Sequence, residues 1–211
     1  MKTLIVPTIY PDDLRQSSLP EHSINQTPWT KEGDLSCKAA FSISHFNYGM
    51  CIKYSVVEPF LHVKKRKING AVHKDNCVEF FIAFDEDKSY YNFEFNCLGS
   101  IKAAFGENRQ KRKFLSPDIL MPIVDSIEIS LDNNGAGNLI RWTLTVILPM
   151  GVFFNHKQHL LSGITCKANF TKCGDGLPNP HFLSWTDIPT ATPDFHQPSY
   201  FGKLIFEHND L

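Results

Sequence analysis

The sequence predicts an all-β chain folded as an antiparallel β-sandwich of the immunoglobulin-like kind. Three observations lead there. Apolar residues alternate with period two in many short runs, as strand side chains require. The runs are separated at fairly regular spacing by Gly, Pro and Asn turn residues. There is no heptad, long amphipathic helix or internal repeat. The 211 residues suit one sandwich, so 1–211 is read as a single domain. A hydrophobic content of 42% with 17 Phe is enough for a sizeable core and argues against disorder.

Along the chain, residues 1–34 read as a leading strand and a Pro-rich connection containing Trp29. Ala39, Phe41 and Ile43 begin the alternation, and Met50, Ile52, Tyr54 and Val56 continue it after a hairpin turn at Asn47-Tyr48-Gly49. Residues 72–98 give two strands joined by an acidic turn, Asp85-Glu86-Asp87. Val78, Phe80, Ile82 and Phe84 share one face, with Tyr91, Phe93, Phe95 and Cys97 as the matching apolar face of the second strand. A further strand ends near Phe105. Ile127, Ile129 and Leu131 alternate before the turn Asn133-Asn134-Gly135. Trp142, Leu144, Val146 and Leu148 form the next core face, which Pro149 ends; Val152 to His159 reads as a helical turn or irregular loop. Ile164, Cys166, Ala168 and Phe170 follow, sending Lys167 and Asn169 to the other side, and a closing strand lies around Phe201–Phe206.

The formal net charge of −1 gives no reason to expect nucleic acid or anionic membrane as a partner. No apolar run is long enough to span a bilayer, and the first residues lack the features of a secretion signal. Cys37, Cys51, Cys77, Cys97, Cys166 and Cys173 form no CxxC and no His/Cys metal spacing, so they are read as reduced thiols. Together these make the cytoplasm the default compartment. Lys64-Lys65-Arg66-Lys67 reads as a solvated basic loop without interleaved aromatics. Arg109, Lys111, Arg112 and Lys113 form a second one.

Opposite the apolar face, the strands of 72–98 carry Glu79 on the first strand and Asn92, Glu94 and Asn96 on the second. Two readings are open: a solvent-facing side of an antiparallel sheet, or a polar floor whose amides and carboxylates bond ligand hydroxyls.

Three blocks carry a resemblance. Val72-His73-Lys74-Asp75-Asn76-Cys77-Val78-Glu79-Phe80-Phe81-Ile82 is similar to the Trp-x-Asp-Asp/Ser-x-Val-Glu-x-Phe strand of family 9 carbohydrate-binding modules. Tyr90-Tyr91-Asn92-Phe93-Glu94-Phe95-Asn96, with the later Lys172-Cys173-Gly174-Asp175, resembles the family-9-like proteins common in Bacteroidetes. Ser184-Trp185-Thr186-Asp187 and Pro193-Asp194-Phe195-His196-Gln197-Pro198-Ser199-Tyr200-Phe201-Gly202 match that group's closing block. The resemblance covers about residues 25–206. It implies a DOMON-like sandwich, non-catalytic binding of a terminal or reducing-end sugar, and in many members structural calcium. Where the family stacks a sugar between two tryptophans, this chain places His73 and Phe195, whose flat faces offer less area than indole. Glu79 matches the sugar-bonding glutamate, Lys167 lies near a polar strand position that reaches the sugar, and Asn96 and Arg109 complete the expected set. Trp185 matches a tryptophan kept beside the sheet. Asp75, Asp85 and Asp87 are the calcium candidates.

Other classes have weaker support. Glu79 and Glu94 could form a glycosidase pair, and Cys173 with His181 a nucleophile and base, but no motif accompanies either. DOMON-like relatives that hold haem through Met and His make Met50 and His73 the corresponding residues, without supporting spacing. The main rival is an interaction or scaffold domain, with a protein partner, that kept the sandwich and lost the sugar site.

Overall fold

The computed structural model describes residues 1–9, 19–29, 37–84, 88–132, 139–156 and 160–208. The Asp85-Glu86-Asp87 and Asn133-Asn134-Gly135 turns, and the last three residues of the 152–159 loop, lie outside the described residues. Two sheets form a β-sandwich. Strands are β1 Thr3–Val6, β2 His22–Ile24, β3 Lys38–Phe46, β4 Gly49–Glu58, β5 Cys77–Phe84, β6 Tyr90–Asn96, β7 Ile101–Gly106, β8 Arg112–Phe114, β9 Val124–Asp132, β10 Leu139–Pro149, β11 Thr165–Cys173, β12 Phe182–Ser184 and β13 Gly202–Phe206. One short helix, α1 Pro117–Leu120, leads into β9.

The larger sheet runs β1-β13-β11-β5-β6-β7-β8, with β12 also paired to β11, and the smaller runs β2-β3-β4-β10-β9. Pairing is antiparallel except for β1, which lies parallel to β13. The β3–β4 hairpin turns on two residues, Asn47 and Tyr48, because Phe46 pairs with Gly49. At Gly49 an added Cβ would lie 2.5 Å from the Leu148 carbonyl oxygen, so close strand approach requires glycine there.

The alternation read from the sequence places the core between the sheets. Phe41, Ile43, Ile52, Tyr54, Val56, Trp142, Leu144, Val146 and Leu148 of the smaller sheet meet Val78, Phe80, Ile82, Phe93, Phe95, Ala168 and Phe170 of the larger. Phe41 and Phe170 stack across the interface with ring centroids 3.5 Å apart. The Tyr54 hydroxyl, fully buried, donates to the backbone oxygen of Glu79 at 3.0 Å, tying β4 to β5. Along the outer strand β9, Ile129 and Leu131 are exposed, although Ile127 packs on the core. An edge strand has a lateral neighbour on one side only, so its ends are the first part of a sheet to lose cover.

The core also contains charge. Lys172, fully buried, lies 3.0 Å from Glu58, whose other oxygen accepts from Trp142 Nε1 at 2.6 Å. His181 Nε2 accepts from the Lys172 ammonium at 2.8 Å. No helix among the described residues is long and apolar enough to cross a membrane.

Candidate functional site

The outer face of the larger sheet is covered rather than solvated. Register fixes which side chains share that face: Glu79 lies opposite Glu94 and Thr171, Phe81 opposite Asn92 and Asn169, and Cys77 opposite Asn96 and Cys173. Loops from 72–76 and from 174–201 fold over it. Val72, Phe81, Tyr90, Ile188, Phe195 and Phe201 make a second, smaller core there, against which Trp29 and Phe182 pack. Burial of these rings holds the long Pro-rich segment in place, because each large side chain removed from water contributes about 1.5–3 kcal/mol.

Where the two covering loops meet, a pocket opens. It encloses about 460 Å3, counting its solvent-filled mouth, and its walls include His73, Glu79, Glu94, Lys102, Arg109, Arg112, Asp175, Phe182, Phe195 and His196. Four of the six residues expected from the sequence, His73, Glu79, Arg109 and Phe195, therefore come together. The other two do not. Asn96 is fully buried and committed: its amide donates to Lys64 O and Asp75 at 2.9 Å each, and its oxygen accepts from Leu98 N and Ser100 N. Lys167 is exposed and lies six residues before Cys173 on β11, about 20 Å along the strand. Lys102 and Phe182 were not singled out by sequence. Lys102 is the register partner of Glu94 and was legible in principle as the outward residue between Ile101 and Ala103. Phe182 carried no signal.

The floor is an asymmetric pair of carboxyls. Glu94 holds Lys102 Nζ at 2.7 and 2.9 Å, has Arg112 Nη1 at 3.4 Å and His73 Nδ1 at 3.7 Å. Burial opposes its charge, but these cationic and hydrogen-bonding neighbours prevail and hold it near 2. Among the described residues Glu79 receives only the Asn92 amide at 3.0 Å and the Cys173 thiol at 3.4 Å. Burial first, and the Glu94 charge second, push it up to about 8. The two share one negative charge at neutral pH, on Glu94. Arg112 Nη1 also donates to the Asn92 oxygen, fixing that amide's orientation. His196 Nδ1 is 2.9 Å from the Tyr90 hydroxyl, and Asp194 caps its own turn through His196 N and Gln197 Nε2.

The basic loop at 64–67 is not merely solvated. Arg66 grips Asp75 through two bonds of 2.6 Å, and Asn96 adds a third. Asp75, fully buried, thereby anchors the turn that carries His73. Both its oxygens are taken by donors, so it does not fit a calcium ligand; Asp85 and Asp87 lie outside the described residues. Replacing Asp75 with Ala is expected to cost about 2–3 kcal/mol, because it leaves a part-buried guanidinium and an amide unpaired. A denaturant midpoint indistinguishable from wild type would show that the clamp is not structural.

Glu79 and Glu94, the carboxyl pair the sequence offered, do meet in the pocket, whereas the Cys173–His181 and haem arrangements are not assembled. Cys173 faces the pocket, while His181 lies on the opposite side of β11 with Lys172. Met50 is in the central core, away from His73 on the outer face.

The sequence profile of carbohydrate-binding family 9 matches residues 8–206. The chain belongs to carbohydrate-binding family 9. It is similar to a Bacteroides uniformis protein of known crystal structure described as a candidate carbohydrate-binding protein, at 32% identity and a TM-score of 0.87, over 98% of this chain and 99% of that one. The fold is shared with a family 9 module of Caldicellulosiruptor kristjanssonii solved with glucose, at 11% identity and a TM-score of 0.61, over 99% and 97% of the two chains. The same module solved with cellotriose gives 12% identity and a TM-score of 0.61, over 99% and 95%. No curated protein sequence matches the chain. The family 9 profile starts at residue 8, nearer the N-terminus than the sequence blocks suggested and just after β1.

Proposed function

We propose that this family 9 member binds carbohydrate without catalysis, and that the outer-face pocket takes one neutral terminal or reducing-end sugar ring. The observation that carries the reading is the wall chemistry. Rings of His73, Phe182 and Phe195 line the same pocket as a floor of hydrogen-bonding groups, the mix of apolar wall and convergent polar groups that a small-ligand site needs. Charges in the wall balance: Lys102, Arg109 and Arg112 against Glu94, Asp175 and Asp194. A neutral polyol suits such a site better than a sugar acid or a phosphate. Glu79, keeping its proton, offers sugar hydroxyls both a donor and an acceptor. Absence of catalysis is supported by Glu94, whose oxygens are held by Lys102 and which is therefore a poor nucleophile or base.

Calorimetric titration against a panel of mono- and oligosaccharides tests this. Glu79→Ala is expected to weaken binding at least about tenfold, roughly 1.4 kcal/mol, with the far-ultraviolet dichroism spectrum retained. Glu79→Gln, which keeps a donor and an acceptor in place, is expected to bind within a few-fold of wild type. Equal affinity in Glu79→Ala would remove Glu79 from the site. Silence across the whole panel from folded wild-type protein would favour the interaction-domain reading, which the absence of an indole platform at His73 and Phe195 supports.

A further inference from the structure

We propose that Cys77, Cys173 and Glu79 form a site for one thiophilic divalent cation, zinc or cadmium, in the floor of the pocket. The two thiols and the carboxylate present ligand atoms that all lie within 4.8 Å of one another, and all three residues are buried. The geometry follows from the strands. Cys77 and Cys173 are direct register partners on β5 and β11, and Glu79 is the next residue on the same face of β5. Tetrahedral zinc with Zn–S near 2.3 Å and Zn–O near 2.1 Å needs ligand atoms about 3.5–3.8 Å apart. Contraction of roughly 1 Å, within side-chain rotation, meets that requirement. Glu79 and Cys173 line the pocket, so an ion reaches the cluster from solvent, and its remaining coordination position faces the pocket.

Comparison with the molecule's other such cluster strengthens the assignment. Cys37, Glu58 and His181 also bring three ligand atoms within 4.8 Å. That cluster already has its cation: the Lys172 ammonium sits 3.0 Å from Glu58 and 2.8 Å from His181. The floor cluster has none. Among the described residues Glu79 forms no ion pair, and Lys102, the lysine beside it, gives its hydrogen bonds to Glu94. A buried carboxyl without a cation is costly unless it stays neutral or gains a metal. Buried cysteine alone is ordinary core material, but two thiols facing each other across such a carboxyl are a donor set suited to a soft ion. On binding, the two thiol protons and the Glu79 proton leave to solvent, two metal–sulfur bonds form, and the Glu79 carboxylate so freed becomes the third ligand.

Cadmium titration of the full-length, reduced protein, followed by the ultraviolet thiolate-to-cadmium charge-transfer band, tests the proposal. One equivalent is expected to saturate the band. Cys77→Ser and Cys173→Ser are expected to abolish it, and Cys37→Ser, which breaks only the other cluster, to leave it intact. X-ray absorption of zinc-loaded wild type is expected to show two sulfur neighbours at about 2.3 Å, a reading independent of whether the serine variants fold. No band with folded protein, a band that survives both pocket variants but not Cys37→Ser, or zinc with no sulfur neighbours would each overturn the site. Sugar titration without metal reads the carbohydrate proposal separately, so the failure of one leaves the other standing.

Discussion

Lys172→Met is expected to lower the unfolding free energy by about 3–5 kcal/mol, the cost of leaving a buried charge without its partner. Lys172 and Glu58 are both buried, and the lysine is the cation that Glu58 contacts at 3.0 Å. Methionine matches the stem's volume, so the loss would come from Glu58, stranded between Trp142 and His181. The double variant Lys172→Met, Glu58→Gln is expected to recover most of the stability. Glutamine keeps an acceptor for the Trp142 N–H, and the charge that needed compensation is gone. Guanidinium unfolding of the wild type and three variants gives the cycle. A double variant as unstable as the lysine single would mean that the network's value lies in shape rather than in charge pairing.

Two buried histidines oppose acidification well above the range where ordinary carboxylates protonate. Glu79, pushed up to about 8, favours it over the same range, because the folded chain takes up that proton first. Burial chiefly, then the Lys172 charge against the opposing Glu58, lowers His181 to about 4. Burial, then Arg112, lowers His196 to about 3, with Glu94 and Asp194 opposing and Arg109 adding to the effect. Both rings are neutral when folded. As pH falls through 6.5 the unfolded chain takes up protons that these two rings refuse when folded, so their contribution to stability is full above that value and declines below it. Between pH 7 and pH 5 the two sites together are expected to remove about 2–4 kcal/mol. His181→Gln and His196→Gln should each remove about half of that histidine loss relative to wild type, and the glutamine at 196 can still meet the Tyr90 hydroxyl. Urea unfolding at several pH values decides it; variants with the wild-type slope would show that these rings titrate normally in the fold.

Alternation alone was enough to place Phe41, Trp142, Phe80, Phe93 and Phe170 in one core, because a strand's side chains change face at every residue whatever its neighbours are. The same rule put Glu79, Asn92, Glu94 and Asn96 on the face opposite that core, and the sequence blocks around Glu79 and Phe195 identified the family. What that face does was not legible. Asn96 and Glu79 look alike in the strand pattern, yet one is consumed by four internal hydrogen bonds and the other is left with few partners in a pocket wall. Arg66 looked like a solvated loop residue, but Asp75 was waiting nine positions away in a turn whose path no local signal gives.

Strand identity, inward and outward faces and family membership were thus determined by the sequence itself, since they depend on local periodicity and short motifs. Tertiary structure alone decided which outward residues became a site. That outcome depended on where the 174–201 segment closed over the sheet, which brought Phe182 and Phe195 to the same mouth as His73 and left Lys167 in solvent. It depended too on cross-strand register, which gave Glu94 the lysine that Glu79 lacks. Long-range placement of charge and cover is a property of the packed chain, and the strand pattern does not encode it.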